Sequence, residues 1–149
     1  MVRIDRATAT DAGVISEMLG EIEEYYGGQN TPGDLDQIHH ALFGGRPVAT
    51  VLLARDDDTS VVGMASYSFL WPAAGADASL YLKELFVRAS ARRCGVAGAL
   101  MAALRKEAAE AGCSRVEWTA DRDNPAALAF YAALGVAPQD EKVIYRLQK

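Results

Sequence analysis

Strand-like and helix-like patterns alternate along this chain, and together they predict an α/β (α+β) fold. Short apolar or alternating runs bounded by turn residues predict strands, whereas apolar residues spaced three and four apart predict helices. The 149 residues contain neither an internal repeat nor a linker, so residues 1–149 are expected to form a single domain. The predicted order is β-α-α-β-β-β-α-β-α-β. It corresponds to a mixed, mostly antiparallel sheet of six to seven strands with helices on both faces.

The first half of the chain predicts a strand over residues 2–7, two helices and a hairpin. The first helix has Asp11 as its N-cap and ends near Tyr25. Its apolar stripe consists of Val14, Ile15, Met18, Leu19 and Ile22. A loop over 27–33 precedes a short helix that begins at Asp34. The hairpin strands that follow cover residues 49–54 and 61–70.

The second half of the chain begins with an apolar strand over residues 80–87. The next helix covers 96–111 and ends at Gly112, and its predicted buried face consists of Val96, Leu100, Leu104 and Ala108. Alternation predicts one strand over 115–120 and a closing strand over 143–147. A helix that starts after Asn124 lies between these two strands.

Composition and charge argue against several classes of protein. The net charge of −5 disfavours a nucleic-acid-binding module, which needs clustered Lys and Arg. No apolar run approaches the roughly 18–20 residues that span a membrane, and Met1 leads into a strand pattern rather than a signal peptide. Cys94 and Cys113 are too few for a disulfide framework, and no Cys/His cluster has zinc spacing. We therefore expect a cytoplasmic protein without a metal.

The segment between the strand over 80–87 and the helix after it is the most informative part of the chain. Small residues such as Gly95 and Gly98 let a phosphate approach the backbone, and the helix start offers unpaired N–H groups. Arg92 and Arg93 add positive charge beside it. Neither the Gly-x-Gly-x-x-Gly nor the P-loop pattern is present. Residues 92–98, which we call the glycine turn, therefore predict a pyrophosphate site without a P-loop lysine.

Two motifs resemble those of the GNAT superfamily of N-acetyltransferases. The acyl-CoA-binding pattern Arg/Gln-x-x-Gly-x-Gly/Ala is matched by Arg92, Gly95 and Ala97. The later pattern Asn-x-x-Ala-x-x-Phe-Tyr-x-x-x-Gly is matched by Asn124, Ala127, Phe130, Tyr131 and Gly135. The second motif also has a helix N-cap, a proline at the first helical position and a glycine suited to a left-handed helix end. The resemblance implies a GNAT-like fold with acetyl-CoA as co-substrate and no metal.

Within the superfamily, residues 60–147 look most similar to the diamine acetyltransferases of the spermidine/spermine or thialysine type. Two positions depart from that group. A pair of carboxylates is replaced here by Lys83 and Glu84, and the usual glycine after the first motif arginine is replaced by Arg93. A lysine facing the pocket would weaken recognition of a dication. The acceptor therefore stays open among a diamine, an amino acid derivative and an aminoglycoside-like amine.

The resemblance implies contact residues for both substrates. Those expected to contact acetyl-CoA are Leu85, Phe86, Val87, Arg92, Arg93, Cys94, Gly95, Val96, Ala97, Gly98, Asn124 and Tyr131. Those expected to contact the acceptor amine are Tyr25, Tyr26, Lys83 and Glu84.

Acetyl transfer to an amine needs a base and an acid. An alkyl ammonium has a pKa of about 10.4, so a carboxylate must take up its proton, directly or through a water. Glu84 is the expected base, and its alternative role is to pair with an arginine or line the pocket. Tyr131 is the expected acid for the leaving thiolate, and its alternative role is that of a core aromatic beside Phe130. Cys94 has no His or Asp nearby in sequence, so an acetyl-enzyme is not expected.

The hypothesis that follows is an enzyme, namely an acyltransferase that moves an acetyl group from acetyl-CoA directly to a primary amine of a small molecule. Two alternatives remain open. The chain could acetylate a protein N-terminus or lysine, or it could be a catalytically silent acyl-CoA-binding module. We expect a small-molecule amine as partner, neither nucleic acid nor a membrane, and a homodimer, the last from the resemblance alone.

Overall fold

The computed structural model describes all residues from 1 to 149 and consists of two compact units, Met1–Trp118 and Thr119–Lys149. The strands are β1 Arg3–Arg6, β2 Thr50–Arg55, β3 Val61–Leu70, β4 Ser79–Val87 and β5 Arg115–Glu117. The helices are α1 Ala12–Tyr25, α2 Leu35–Phe43, α3 Val96–Glu110 and α4 Pro125–Ala133. Every predicted helix is therefore present, and α4 belongs to the second unit. No helix is long and apolar enough to cross a membrane.

The five strands form one sheet in the order β1-β2-β3-β4-β5. The pairs β1–β2, β2–β3 and β3–β4 are antiparallel, whereas β5 runs parallel to β4. A parallel pair needs a long crossover connection, which here contains α3. The predicted α/β class and the mixed, mostly antiparallel sheet are both confirmed.

Helices cover both faces of the sheet. Val51 and Met64 face α1 and α2, in a cluster with buried residues of those helices such as Ile15 and Met18. Gly63 lies next to Met64 and points to the other face. A β-carbon there would lie 3.1 Å from Val96 and 3.4 Å from Leu100, so α3 packs closely on β3. The predicted face of α3 is buried, with Val96, Leu100, Leu104 and Ala108 all at most 5% exposed.

The start of α1 differs from the prediction in one detail. Asp11 is the N-cap residue, but its side chain makes no capping hydrogen bond. Instead Oδ2 accepts a hydrogen bond from the Thr8 N–H at 2.8 Å, and Oδ1 accepts one from Arg55 Nη2 at 3.0 Å. Burial by itself would raise the pKa of the Asp11 carboxyl, yet these donors hold it below its ordinary value. The carboxylate therefore ties the helix start to β2 rather than capping the helix.

The predicted closing strand over residues 143–147 is wrong, and the sheet has five strands instead of six to seven. Val143, Tyr145 and Leu147 alternate as strand residues do, but all three are exposed. Alternation reports a preference for extended backbone, whereas a strand exists only when a neighbouring strand pairs with it. β5 is likewise shorter than predicted, because its pairing with β4 ends at Tyr81 and Glu117.

Candidate active site

Strand β4 carries a bulge in the middle of the sheet. Ser66 pairs with Glu84, but the next residue of β3, Tyr67, pairs with Leu82. Lys83 is therefore an extra residue without an opposite partner. A bulge of this kind re-aims side chains, and here the consecutive residues Lys83 and Glu84 line the same cavity.

This cavity lies over β2, β3 and β4 beneath α1 and α2, and its volume is about 300 Å³. Its lining is mostly aliphatic and consists of Ile15, Leu19, Ile38, Ala41, Leu42, Val48, Ala49, Val51 and Met64, with Ser66, Lys83 and Glu84. The cavity has the size of a small-molecule pocket, and Lys83 and Glu84 are the charged residues of its lining.

Leu19 belongs to a group of apolar residues that line the cavity although their sequence pattern is that of core residues. It was predicted as part of the buried stripe of α1, yet its side chain is 36% exposed and lines the cavity. The α2 and β2 residues of the lining were not anticipated as site residues. An apolar residue that lines a pocket has the same sequence signal as one that fills the core, since both face inward from a helix or strand. Only the folded arrangement separates the two.

The glycine turn, residues 92–98, joins β4 to α3. Gly95 is the N-cap of α3 with a φ of 79°, and no side chain caps this helix. In contrast, the first turn of α2 is capped by Asp34, whose Oδ1 accepts the Gln37 N–H at 2.9 Å. A β-carbon at Gly95 or Gly98 would meet no atom within 4 Å, so the backbone of the turn is open. These open amides fit the phosphates of a CoA-type ligand.

Arg92 anchors the glycine turn to the body of the unit. Its Nε donates to the Val87 carbonyl at 3.1 Å, and its Cζ lies 5.1 Å from the Tyr25 ring centroid and 5.7 Å from that of Phe86. Such cation–π contacts contribute roughly 0.5–1 kcal/mol each at exposed sites. Tyr25 therefore packs beside the turn, edge-on to Tyr26 at 5.2 Å, and neither tyrosine is part of the cavity lining. Their predicted contact with the acceptor stays a prediction.

Arg93 adopts a left-handed backbone conformation, with a φ of 64°. Non-glycine residues pay roughly 1–2 kcal/mol there because the β-carbon crowds the following carbonyl. We expect Arg93→Gly to be about 1 kcal/mol more stable towards urea than Arg93→Ala, which keeps the β-carbon but also lacks the charge. Equal free energies of unfolding for the two variants would contradict the strain argument.

A second arginine, Arg88, fixes the end of β4 against α1. Its guanidinium forms ion pairs with Glu21 at 2.9 Å and with Glu17 at 3.2 Å, and it donates to the Val61 carbonyl at 3.0 Å. The sequence signal for this contact was the spacing of Glu17 and Glu21, which places both on one face of α1. Arg88 holds in place the segment from which the glycine turn departs.

The other predicted acetyl-CoA contacts of the first unit lie along the same junction. Leu85, Phe86 and Val87 end β4, and Cys94, Val96 and Ala97 surround Gly95. The side chains of Phe86 and Val96 belong to the core. Cys94 is exposed, whereas burial, with a smaller effect of Asp77, raises the pKa of the Cys113 thiol.

The second unit presents the other motif on α4. Asn124 Oδ1 accepts the Ala127 N–H at 3.2 Å, Pro125 occupies the first helical position, and Gly135 has a φ of 83°. All three predicted end signals are confirmed. Tyr131 is half-buried, with its ring 5.3 Å from that of Phe130.

An open turn that leads into an uncapped helix can bind an anionic group such as a phosphate, and the preceding strand lines a pocket of small-molecule size. The model of the Acetyltransferase (GNAT) family matches residues 15–136, and the chain belongs to this family of acetyltransferases. The match includes residues of both compact units.

Individual proteins resemble this chain in sequence or in fold. The chain is 31% identical over 91 residues to L-ornithine N5-acetyltransferase NATA1 of Arabidopsis thaliana, a match covering 61% of this chain and 40% of that relative. It is 31% identical to the integron cassette protein VCH_CASS6 from the mobile metagenome of V. cholerae, with a TM-score of 0.85 over 99% of this chain and 93% of that one. An aminoglycoside acetyltransferase, meta-AAC0020, from an uncultured soil metagenomic sample shares the fold, with 21% identity and a TM-score of 0.82 over 99% and 97% of the two chains.

Proposed function

We propose that this chain transfers an acetyl group from acetyl-CoA directly to a primary amine of a small molecule. The observation that carries the proposal is that β4 bears the cavity carboxylate Glu84 at its bulge and then leads into the open, uncapped start of α3. Membership of the family supports the donor. Two of the proteins that the chain resembles, an ornithine and an aminoglycoside acetyltransferase, support a small amine as acceptor.

The glycine turn would hold the pyrophosphate of acetyl-CoA. The backbone N–H groups from Arg93 to Gly98 would bind the phosphate oxygens, with the positive end of the α3 dipole behind them. The exposed Arg93 side chain adds charge, whereas Arg92 is held against Tyr25 and keeps the turn in place. Bound acetyl-CoA supplies an activated thioester, and the chain's own residues supply position and proton transfer.

Two side chains would move the protons. Glu84 accepts a proton from the ammonium of the acceptor, directly or through a water, which makes the nitrogen nucleophilic. The C–N bond then forms as the C–S bond breaks, and Tyr131 donates its phenolic proton to the departing sulfur. No acetyl-enzyme is needed, and Cys94 plays no covalent part. The resemblance also assigns Asn124 to acetyl-CoA binding.

The proposed role of Glu84 as a base predicts how the defect of a Glu84→Gln variant depends on pH. We expect Glu84→Gln to lower kcat/KM most strongly near neutral pH, and the defect to shrink as the pH approaches the pKa of the amine, since the free amine needs no base. The pH–rate profile measures this, with the exposed Glu141→Gln as control. A defect that is the same at every pH would instead identify Glu84 as a structural or substrate-binding carboxylate.

One experiment tests the proposed function as a whole. Isothermal titration with acetyl-CoA, followed by a thiol-release assay over a panel of amines and peptides, distinguishes the three hypotheses. Binding with turnover of small amines supports the proposal, turnover of peptides alone favours protein acetylation, and binding without turnover favours a silent module. Mass spectrometry after incubation with acetyl-CoA alone should show no acetylated Cys94 or Cys113, and a stoichiometric adduct would overturn direct transfer.

We further propose that residues 1–149 act as one N-acetyltransferase domain and assemble as a homodimer. The family match across both compact units supports the first statement. The second rests on the resemblance to GNAT enzymes of this size. Light scattering at the assay concentration tests it, since a mass of 16.0 kDa would indicate a monomer.

The diamine-type resemblance is weaker support for a particular acceptor. The ornithine-acetylating relative supports an amine on a short aliphatic chain. However, Lys83 lines the cavity beside Glu84, where a dication would meet a positive charge. The presence of Lys83 therefore favours an acceptor other than a diamine.

A further inference from the structure

We infer that the acceptor is a small α-amino acid with an apolar side chain, acetylated on its α-amine. This inference rests on the proposed function and names its substrate class. It follows from the lining, the size and the charges of the cavity between the sheet and helices α1 and α2.

The lining selects for an apolar body. Nine of the twelve lining residues are aliphatic, and Ser66 is the only hydroxyl among them. A polyhydroxylated sugar ring would leave several hydroxyl groups without partners against such a wall, and each buried unpaired polar group costs on the order of 1–3 kcal/mol. An aliphatic or aromatic side chain gains free energy from the same surface.

The size of the cavity selects for a small molecule. The volume of the cavity is about 300 Å³. This is at the small end of ligand pockets. A pocket of this size suits a leucine- or phenylalanine-sized molecule better than a multi-ring aminoglycoside.

The charges select for an α-amino acid. Because Lys83 is the bulge residue, Lys83 and Glu84 occupy neighbouring positions in the lining of the cavity. An α-amino acid carries opposite charges on adjacent groups, so its ammonium complements Glu84 while its carboxylate complements Lys83. A diamine satisfies only one of these residues and is repelled by the other.

The test compares matched acceptors in the thiol-release assay. L-phenylalanine and L-leucine are expected to have a kcat/KM at least tenfold higher than phenethylamine, which lacks the carboxylate. They should also exceed L-ornithine, putrescine and sisomicin. A preference for any of these other amines would overturn the inference while leaving the proposed acetyl transfer supported.

A variant tests the role of Lys83 in this choice. Lys83→Met keeps the length of the side chain and removes its charge. We expect it to lower the ratio of kcat/KM for L-phenylalanine to that for phenethylamine by about ten- to a hundredfold, as for loss of a charged hydrogen bond. Lys106→Met on the exposed face of α3 is the matched control and should keep the wild-type ratio. An unchanged ratio in Lys83→Met would overturn the inference.

Measuring binding and turnover separately distinguishes the inferred acceptor class from the proposed acetyl transfer. Calorimetric titration of L-phenylalanine into the full chain saturated with CoA measures occupation of the cavity independently of chemistry. Binding without acetyl transfer would support the acceptor class and overturn the proposed function. Absence of both binding and transfer for L-phenylalanine and L-leucine would overturn the acceptor class.

Discussion

Replacing Tyr131 with phenylalanine is expected to lower kcat by roughly 10²–10⁴-fold, the usual effect of removing a general acid. The substitution keeps the ring, whose centroid lies 5.3 Å from that of Phe130 on α4, and removes only the phenolic hydroxyl. Acetyl-CoA affinity should therefore stay close to that of the wild type. Single-turnover kinetics measures the chemical step without interference from product release.

The matched control for this variant is Tyr145→Phe. Tyr145 belongs to the same compact unit, but its side chain is exposed, so loss of its hydroxyl should leave kcat unchanged. If Tyr131→Phe stays within about twofold of the wild type in single turnovers, the phenol is not the acid. Its role would then be that of a packed aromatic.

Replacing Gly98 with glutamate is expected to lower the affinity for acetyl-CoA at least a hundredfold while making the folded protein more stable. The new carboxylate would stand at the start of α3, where the phosphates are expected, and juxtaposed like charges cost several kcal/mol. The same substitution removes a helical glycine and places an acidic residue in the first turn. These two changes should raise the free energy of unfolding by about 1 kcal/mol. A β-carbon at this position meets no atom within 4 Å.

The opposite signs of the two effects exclude misfolding as the cause of lost binding. Gly98→Ala and Gly98→Gln are the controls, because both improve helix propensity without adding charge. Calorimetric titration should give the highest acetyl-CoA affinity for Gly98→Ala, a lower one for Gly98→Gln and the lowest for Gly98→Glu. Urea unfolding should show all three variants to be more stable than the wild type. Wild-type affinity in Gly98→Glu would remove the glycine turn from the donor site.

Local signals were reliable wherever neighbouring residues decide the outcome. The Asn124 cap, the left-handed Gly135 and the four-residue buried face of α3 depend on contacts within one helix or turn, and all were predicted. The sequence analysis noted that Arg93 replaces the usual glycine, and the structure shows a positive φ at this position. Such features need only the φ/ψ preferences of single residues and the helical period.

Predictions failed where a distant partner decides the outcome. Residues 143–147 have a strand-like alternation but pair with no strand, and Asp11 directs its carboxylate to Arg55 rather than to its own helix. In both cases the competing or missing partner lies far away in sequence. Periodicity carries no information about such pairing.

The sequence by itself determined the class of fold, the order of the helices, the glycine turn and the two motifs that place the chain in its family. The tertiary structure alone decided that β4 bulges at Lys83 and that Lys83 and Glu84 line the same cavity as residues such as Leu19. The physical reason is that a bulge is a mismatch between two strands, and a cavity is space left by several elements packing together. Neither is a property of any single segment.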